Sequence, residues 1–349
     1  MGMPTAWVTG AAGFIGGHLC TALLTAGWRV MALDNLQAAH AADGWQRLSA
    51  LSAAFPSQLS LRQIDVCELP YVQASESLPW PDCVFHLAAQ PGVRTTEDLD
   101  FYLQANLVST EALIAAIAEK AHHSLPLIVF ASSSSVYGEG VAGQASAESS
   151  HCQPRSVYGQ SKQRCEDYLS GVAAQKGFKS IALRLFSVYG AYQRPDMAFQ
   201  RWAHALLRQQ PVILHAPHQM SRDFTCVADV VQGFLKAARY GRQMTPSYAC
   251  FNVGSGVQTP LLSAAELWLQ QLERAASQTL GCSLQPHLET RSAHRAEVFH
   301  TWANLEQSQR LLGYQPRYTL SVGLTTFAQH VVDQHTNALT ICKSIPLKE

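Results

Sequence analysis

The chain has 349 residues, 47% of them hydrophobic and 14% charged, and its 25 basic side chains are balanced by 25 acidic ones. That length suffices for two domains around a sizeable core, and the even charge, with no basic block, excludes nucleic acid as a main partner. The nine cysteines form no Cys-x-x-Cys pair, and the fourteen histidines show no ligand spacing beyond the neighbours His215 and His218, so reduced thiols and no metal are expected.

No apolar run in the sequence approaches the length of a membrane span, and the N-terminus enters a strand without a leader. A cytoplasmic protein with no membrane partner is therefore expected. Residues 6–9 make that strand. Gly10, Gly13 and Gly16 follow at intervals of three, with Phe14 and Ile15 between the last two, and a helix runs on to about Ala26. Glycines between a strand and a helix allow a tight turn and close backbone approach to a pyrophosphate, which the helix N-terminus favours through its free N–H groups and dipole. The second strand, residues 28–33, ends in Asp34-Asn35. A carboxylate there is the expected partner of an adenosine ribose hydroxyl and repels a 2′-phosphate, so NAD is expected over NADP.

Further strands are expected at residues 59–64, 83–89, 127–131 and 180–186, with helical segments within 37–56, at 101–120 and after Ser156. Residues 83–89 are nearly all apolar, as a parallel strand buried on both faces must be. This alternation argues an α/β doubly wound parallel sheet. Past Gly190 the rhythm breaks into a polar loop, a helix ending near Gln210, a short strand at 212–214, a helix with Asp229 at its cap, a return strand at 251–254 and a helix at 264–276. The expected division is a dinucleotide domain of residues 1–186 with 222–253, a smaller mixed α/β substrate domain of 187–221 with 254–335, and a poorly ordered polar tail at 336–349.

The chemistry concentrates between residues 130 and 162. A strand bursts into four serines, Ser132 to Ser135, and Ser156, a helix cap, is followed by Tyr158 and Lys162. Four residues apart on a helix, phenol and ammonium share one face. A lysine cation beside a phenol favours the phenolate and makes a usable general base. The serine cluster supplies hydroxyls to face it, while Arg164, Glu166 and Asp167 are expected on the solvated side of the helix.

Together these motifs resemble the extended short-chain dehydrogenase/reductase family, and within it the NAD-dependent epimerases and dehydratases, over about residues 5–335. The resemblance implies a Rossmann-type fold with Ser133, Tyr158 and Lys162 as the catalytic set. It implies a cofactor site of Gly10, Gly13, Phe14, Ile15, Gly16, Asp34, Asn35, Asp65, Val66, Leu87, Ala88, Ala89 and Asn106, joined by Tyr158 and Lys162. Arg222 would meet the diphosphate of a UDP-sugar.

The runs Gln90-Pro91-Gly92-Val93-Arg94 and Arg194-Pro195-Asp196-Met197-Ala198 are similar to those of UDP-glucuronate 4-epimerases. Relatives that eliminate water or decarboxylate place acidic residues beside the catalytic serine, where this chain has Ser134 and Ser135. Ser187 is a hydroxyl where the uronate enzymes carry threonine, and Arg194 stands where they hold the sugar carboxylate. The implied substrate set is Arg94, Ser134, Ser135, Ser187, Arg194 and Arg222, with the roles of His218, Arg291 and Arg295 open. The implied reaction turns UDP-glucuronate into UDP-galacturonate through a 4-keto sugar on bound NAD, in the setting of polysaccharide synthesis. A UDP-glucose or UDP-N-acetylhexosamine 4-epimerase, a UDP-glucuronate decarboxylase and a non-catalytic NAD-binding protein are the other readings. Relatives form homodimers through helices matching residues 101–120 and 157–174, so Leu103, Leu107 and Leu113 belong either to that seam or to packing on their own sheet.

Overall fold

The computed structural model describes residues 2–38, 40–71, 78–92, 97–119, 124–245, 247–281, 283–293 and 297–344. Strands β1 (Thr5–Thr9), β2 (Arg29–Asp34), β3 (Leu59–Gln63), β4 (Cys83–His86), β5 (Leu127–Ser133) and β6 (Lys179–Leu185) alternate with helices α1 (Phe14–Thr25), α2 (Ala41–Ala54), α3 (Leu99–Ala118) and α4 (Val157–Lys176). The middle of α3, Leu103–Val108, is wound as a π-helix. Then come β7 (Ser187–Tyr189), α5 (Ala198–Leu207), β8 (Val212–His215), β9 (Ser221–Cys226), α6 (Val227–Gly241) and β10 (Tyr248–Val253), and finally β11 (Gln258–Pro260), α7 (Leu261–Leu280), β12 (Leu288–Arg291) and α8 (Leu320–Ser344).

Seven strands form one parallel sheet in the order β10-β6-β5-β4-β1-β2-β3. β1 and β5 are buried along their whole length, which is why they read as apolar runs rather than alternating ones. Successive side chains of β1 serve opposite faces: Ala6 and Val8 join the core under α1 and α6, and Trp7 joins the core under α3 and α4. Each large side chain so buried contributes about 1.5–3 kcal/mol. A third core, built on Phe199, Trp202, Trp268, Leu272 and Phe327, lies among α5, α7 and α8, while Ala303, Leu305, Leu312 and Tyr314 return to the core of the first half.

Three expectations change. Glu166 is not on a solvated face: it is 4% exposed and pairs with Arg184 of β6 at 2.7 Å. Asp229 does not cap α6, whose cap is Cys226; its carboxylate instead accepts the N–H groups of Arg317 and Tyr318 at 2.8 and 3.1 Å, tying the chain before α8 to α6. The C-terminal stretch continues as helix to Ser344, since no glycine or proline interrupts the sequence between Leu324 and Ser344.

α3 is also long and apolar enough, by length and composition alone, to cross a membrane. It is a core helix here. Leu113, Ile114 and Ile117 are buried on the sheet, Leu107 packs against the same core, and Asn106 and Thr110 bury polar groups that bond within the fold.

Candidate active site

In a parallel sheet all strands end on the same edge, where ligands bind beside the point at which the strand order reverses. That edge gathers the chemistry-bearing residues: Gly10 after β1, Asp34 closing β2, Asp65 after β3, Leu87 to Ala89 after β4, Ser133 closing β5 and Ser187 opening β7. The reversal lies between β1 and β4, joined in register from Ala6↔Cys83 to Thr9↔His86.

The glycine loop is tight for a stated reason. Gly10 has φ +67, and a Cβ on it would stand 2.8 Å from the backbone nitrogen of Ala88. A side chain on Gly16 would run into the carbonyl oxygen of Gly10. The cap of α1 is Gly13, which offers no side-chain oxygen to the helix N–H groups at Phe14 and beyond. Asp34 fixes the same loop from the next strand, accepting the N–H of Ala12 and of Leu36, both at 2.9 Å. Burial holds its carboxyl above the usual range against those two donors. Asn35 donates to Asp65 at 2.8 Å, and Asp65 caps the turn Val66–Glu68 through the N–H of Cys67.

Behind this floor runs a buried polar chain that the sequence did not reveal. His86 lies between Thr9, 2.8 Å from Nδ1, and Thr110, 3.0 Å from Nε2. Thr9 Oγ1 accepts the N–H groups of Leu87 and Ala88. Asn106 accepts from the N–H of Gln90 at 2.7 Å and donates to Ser161 at 2.9 Å, so it pins the loop after β4 to α4. The clue available in sequence was the spacing of two threonines and one histidine to strand ends and one helix, too sparse to single out.

α4 starts where it must. Ser156 Oγ accepts the N–H of Gly159 at 3.0 Å, and Gly159 lets the helix press on the serine turn, since a Cβ there would stand 2.6 Å from the carbonyl oxygen of Ser135. This brings the Tyr158 phenol beside Ser133, one of the groups that lower its pKa. Ser133 also donates to Ser135 Oγ and accepts from the Ser135 N–H, both at 3.1 Å. Burial pushes the phenol above its ordinary pKa, and the groups pulling it down are the Ser133 hydrogen bond and the charge of Arg194.

Lys162 acts otherwise than the helical spacing suggested. Its Nζ donates to the carbonyl oxygen of Ala131 at 2.9 Å and lies 4.6 Å from the Phe130 ring centroid, with burial lowering its pKa to about 8. Tyr102, missing from the sequence-based set, packs its ring 5.9 Å from that of Tyr158 and hydrogen-bonds the carbonyl of Gly92.

Ser134 and Ser135 open the turn Ser134–Val136 beside Ser133. Arg194 forms a bidentate pair with Asp196, and its charge reaches Tyr158. Arg222, on β9 next to the strand that starts with Ser187, donates to the carbonyls of Ser221 and Phe299 at 2.9 and 3.0 Å. Arg94 and Arg295 lie outside the described residues. His218 is exposed, His215 Nδ1 donates to the carbonyl of Ser292, and Arg291 stands 3.7 Å from Glu289.

The family model described as the NAD dependent epimerase/dehydratase family matches residues 6–254. This chain belongs to that family. It is 34% identical over 327 residues to the uncharacterized UDP-glucose epimerase YtcB of Bacillus subtilis, covering 91% of this chain and 95% of the relative. It is 30% identical over 338 residues to UDP-glucuronate 4-epimerase 4 of Arabidopsis thaliana, covering 93% and 74%. Among solved structures, the UDP-glucuronic acid 4-epimerase of Bacillus cereus in complex with UDP-glucuronic acid and NAD superposes with a TM-score of 0.79 at 29% identity, covering 95% of this chain and 99% of the other.

For a member of the NAD-dependent epimerase family the first question is whether these residues suit the dinucleotide. They do. The cradle that a Cβ at Gly10 or Gly16 would fill, the uncapped N-terminus of α1 and the carboxylate of Asp34 together match a pyrophosphate and a ribose diol.

Proposed function

We propose that this epimerase-family protein interconverts UDP-glucuronate and UDP-galacturonate at sugar C4. The observation that carries the reading is the mostly buried guanidinium of Arg194, held by Asp196 and able to match a carboxylate, whose charge is among the groups that lower the Tyr158 pKa. Resemblance to relatives named UDP-glucuronate 4-epimerase supports it.

In this reading Tyr158 takes the proton of the 4-hydroxyl, and Ser133, one of the groups that lower the phenol's pKa, accepts and returns it between sugar and base. NAD, when bound, supplies the oxidant at C4 and the reductant for its return. Lys162 anchors the end of β5 through Ala131 and offers its remaining donors to the ribose. The oxidised sugar is a β-keto acid, which loses carbon dioxide when its carboxylate aligns with the ketone. Arg194, Ser134, Ser135 and Ser187 hold that group out of alignment. Asp34 and Asp65 serve the adenosine, and Arg222 the diphosphate, with residues 187–221 and 254–335 forming the UDP half. The protein works as a cytoplasmic homodimer that takes a UDP-sugar and neither nucleic acid nor membrane.

The test is incubation with UDP-glucuronate and separation of the products. UDP-galacturonate is the expected product, and a UDP-pentose as the main product would overturn the assignment. Arg194→Ala is expected to lower kcat/KM for UDP-glucuronate about 100-fold, the loss of two charge-assisted hydrogen bonds, with bound NAD retained. The 34% identity to a UDP-glucose epimerase favours a second reading, in which the same residues contact neutral hydroxyls. UDP-glucose turned over faster than the uronate would establish it.

A further inference from the structure

Arg194 and Asp196 stand two residues apart in the turn before α5, where the N–H of Met197 bonds the carbonyl of Arg194 at 3.1 Å. Their side chains meet edge to edge: Nε donates to Oδ1 at 2.9 Å and Nη2 to Oδ2 at 2.8 Å. A guanidinium has two edges that match a carboxylate, the Nε/Nη2 side and the Nη1/Nη2 end. Asp196 takes the side. Nη1 has no partner among the described residues. The arginine side chain is 18% exposed and the aspartate 65%, so the pair is held from the solvent side with the guanidinium turned inward, where its charge reaches the Tyr158 phenol.

A lone arginine in that place would lose rotamer freedom on gripping a ligand. Here the freedom is already spent. The partner is built into the same turn, so the free edge keeps one direction before any sugar arrives, and preorganisation of this kind improves affinity without new contacts.

We propose that Asp196 is a positioning residue: by gripping the side edge of Arg194 it fixes the direction of the free end edge, and so selects a sugar that carries a carboxylate over a neutral one. This rests on the UDP-glucuronate reading above and adds to it the residue that makes the arginine selective. Asp196 itself touches no substrate. A neutral hexose gains nothing from the aimed edge, so the effect of losing Asp196 is confined to the uronate.

Asp196→Asn tests it, because the amide keeps the size and one acceptor but removes the charge and the second acceptor. Steady-state kinetics with both sugars should show KM for UDP-glucuronate raised about tenfold, ~1.4 kcal/mol, with kcat within about twofold and KM for UDP-glucose unchanged. Asp196→Glu, which restores the charge and both oxygens, should recover most of the loss. Melting temperature and bound NAD, measured on the same preparations, separate misfolding from misaiming. An unchanged KM for UDP-glucuronate in Asp196→Asn, or an equal rise for both sugars, overturns the proposal. If Arg194→Ala loses the preference for the uronate while Asp196→Asn keeps it, this inference fails and the functional reading stands. If Arg194→Ala keeps the preference, both fail.

Discussion

The guanidinium of Arg47 lies over the ring of Tyr192, 3.6 Å from its centroid, and so joins α2 to the loop that carries Arg194. His330 of α8 meets the edge of the same ring at 4.3 Å, and His18 of α1, at 5.9 Å, bonds the carbonyl of Ala191. Tyr192 has φ 62, an unusual conformation for a bulky residue, which this three-sided packing holds in place. Tyr192→Ala should therefore destabilise the fold by about 1–3 kcal/mol through lost cation–π and ring contacts. Tyr192→Phe, which keeps the ring, should cost well under half of that in thermal melts.

The same joint carries a pH dependence. Burial holds both His18 and His330 below the ordinary histidine value, and the charge of Arg47 lowers each further, with Asp333 opposing at His330. A histidine depressed in the fold leaves the unfolded chain to bind its proton first, so stability is lost as pH falls below about 6.5. Melting temperature should drop between pH 6.5 and 5. The double variant His18→Gln with His330→Gln should show a shallower drop.

At the catalytic centre, Tyr158→Phe should lower kcat by about 100- to 10,000-fold, the usual worth of a positioned general base, while bound NAD survives purification. Ser133 is one of two groups pulling the Tyr158 pKa down against burial. Removing it in Ser133→Ala raises that pKa, so the acid limb of the kcat/KM profile should move to higher pH. A limb that stays in place would assign Ser133 to sugar orientation alone.

Lys162 is held charged in a site that disfavours charge, its pKa lowered to about 8 chiefly by burial. Below pH 8 both folded and unfolded forms carry the proton, and the fold bears the full cost of burying it. As pH rises from about 8 to 10.5 the folded lysine releases its proton first, and the cost fades. Lys162→Met should therefore be inactive yet more stable than the parent by on the order of 1–3 kcal/mol at pH 7, with the difference closing by pH 10.5. Thermal melts across that range would read the effect.

Much of this was legible in residues. The strands announced themselves because a sheet covered on both faces must be apolar throughout, and the glycine loop, Asp34 and the Tyr158–Lys162 spacing are local patterns with a direct geometric meaning. What failed was non-local. Glu166 looks solvated because helix periodicity places it among Arg164 and Asp167, and only the register of β6 brings Arg184 against it, with Ser132 and Tyr248 on the same carboxylate. Tyr102 escaped notice because it caps the π-wound segment Leu103–Val108 that carries Asn106, a winding invisible in pattern. Spacing put Lys162 beside Tyr158, but the carbonyl of Ala131 decides where its ammonium points.

His86 offers the sharpest test of the buried floor. It is wholly buried between Thr9 and Thr110, and burial, followed by the charge of Lys162, lowers its pKa to about 3. The neutral imidazole orients Thr9, whose hydroxyl in turn accepts the N–H groups of Leu87 and Ala88 beneath the glycine loop. Between pH 6.5 and 3 the unfolded chain holds a proton that the folded chain does not, so stability falls with pH over that window by about 1.4 kcal/mol per unit. His86→Gln has no such proton to gain, and its amide keeps a donor and an acceptor for the two threonines. The variant should start less stable at pH 7, because the shorter amide spans the two hydroxyls poorly, and should lose stability more slowly on acidification. Chemical denaturation at pH 7, 6 and 5 would measure both slopes, and parallel slopes would mean that His86 is not the group whose protonation unfolds the floor.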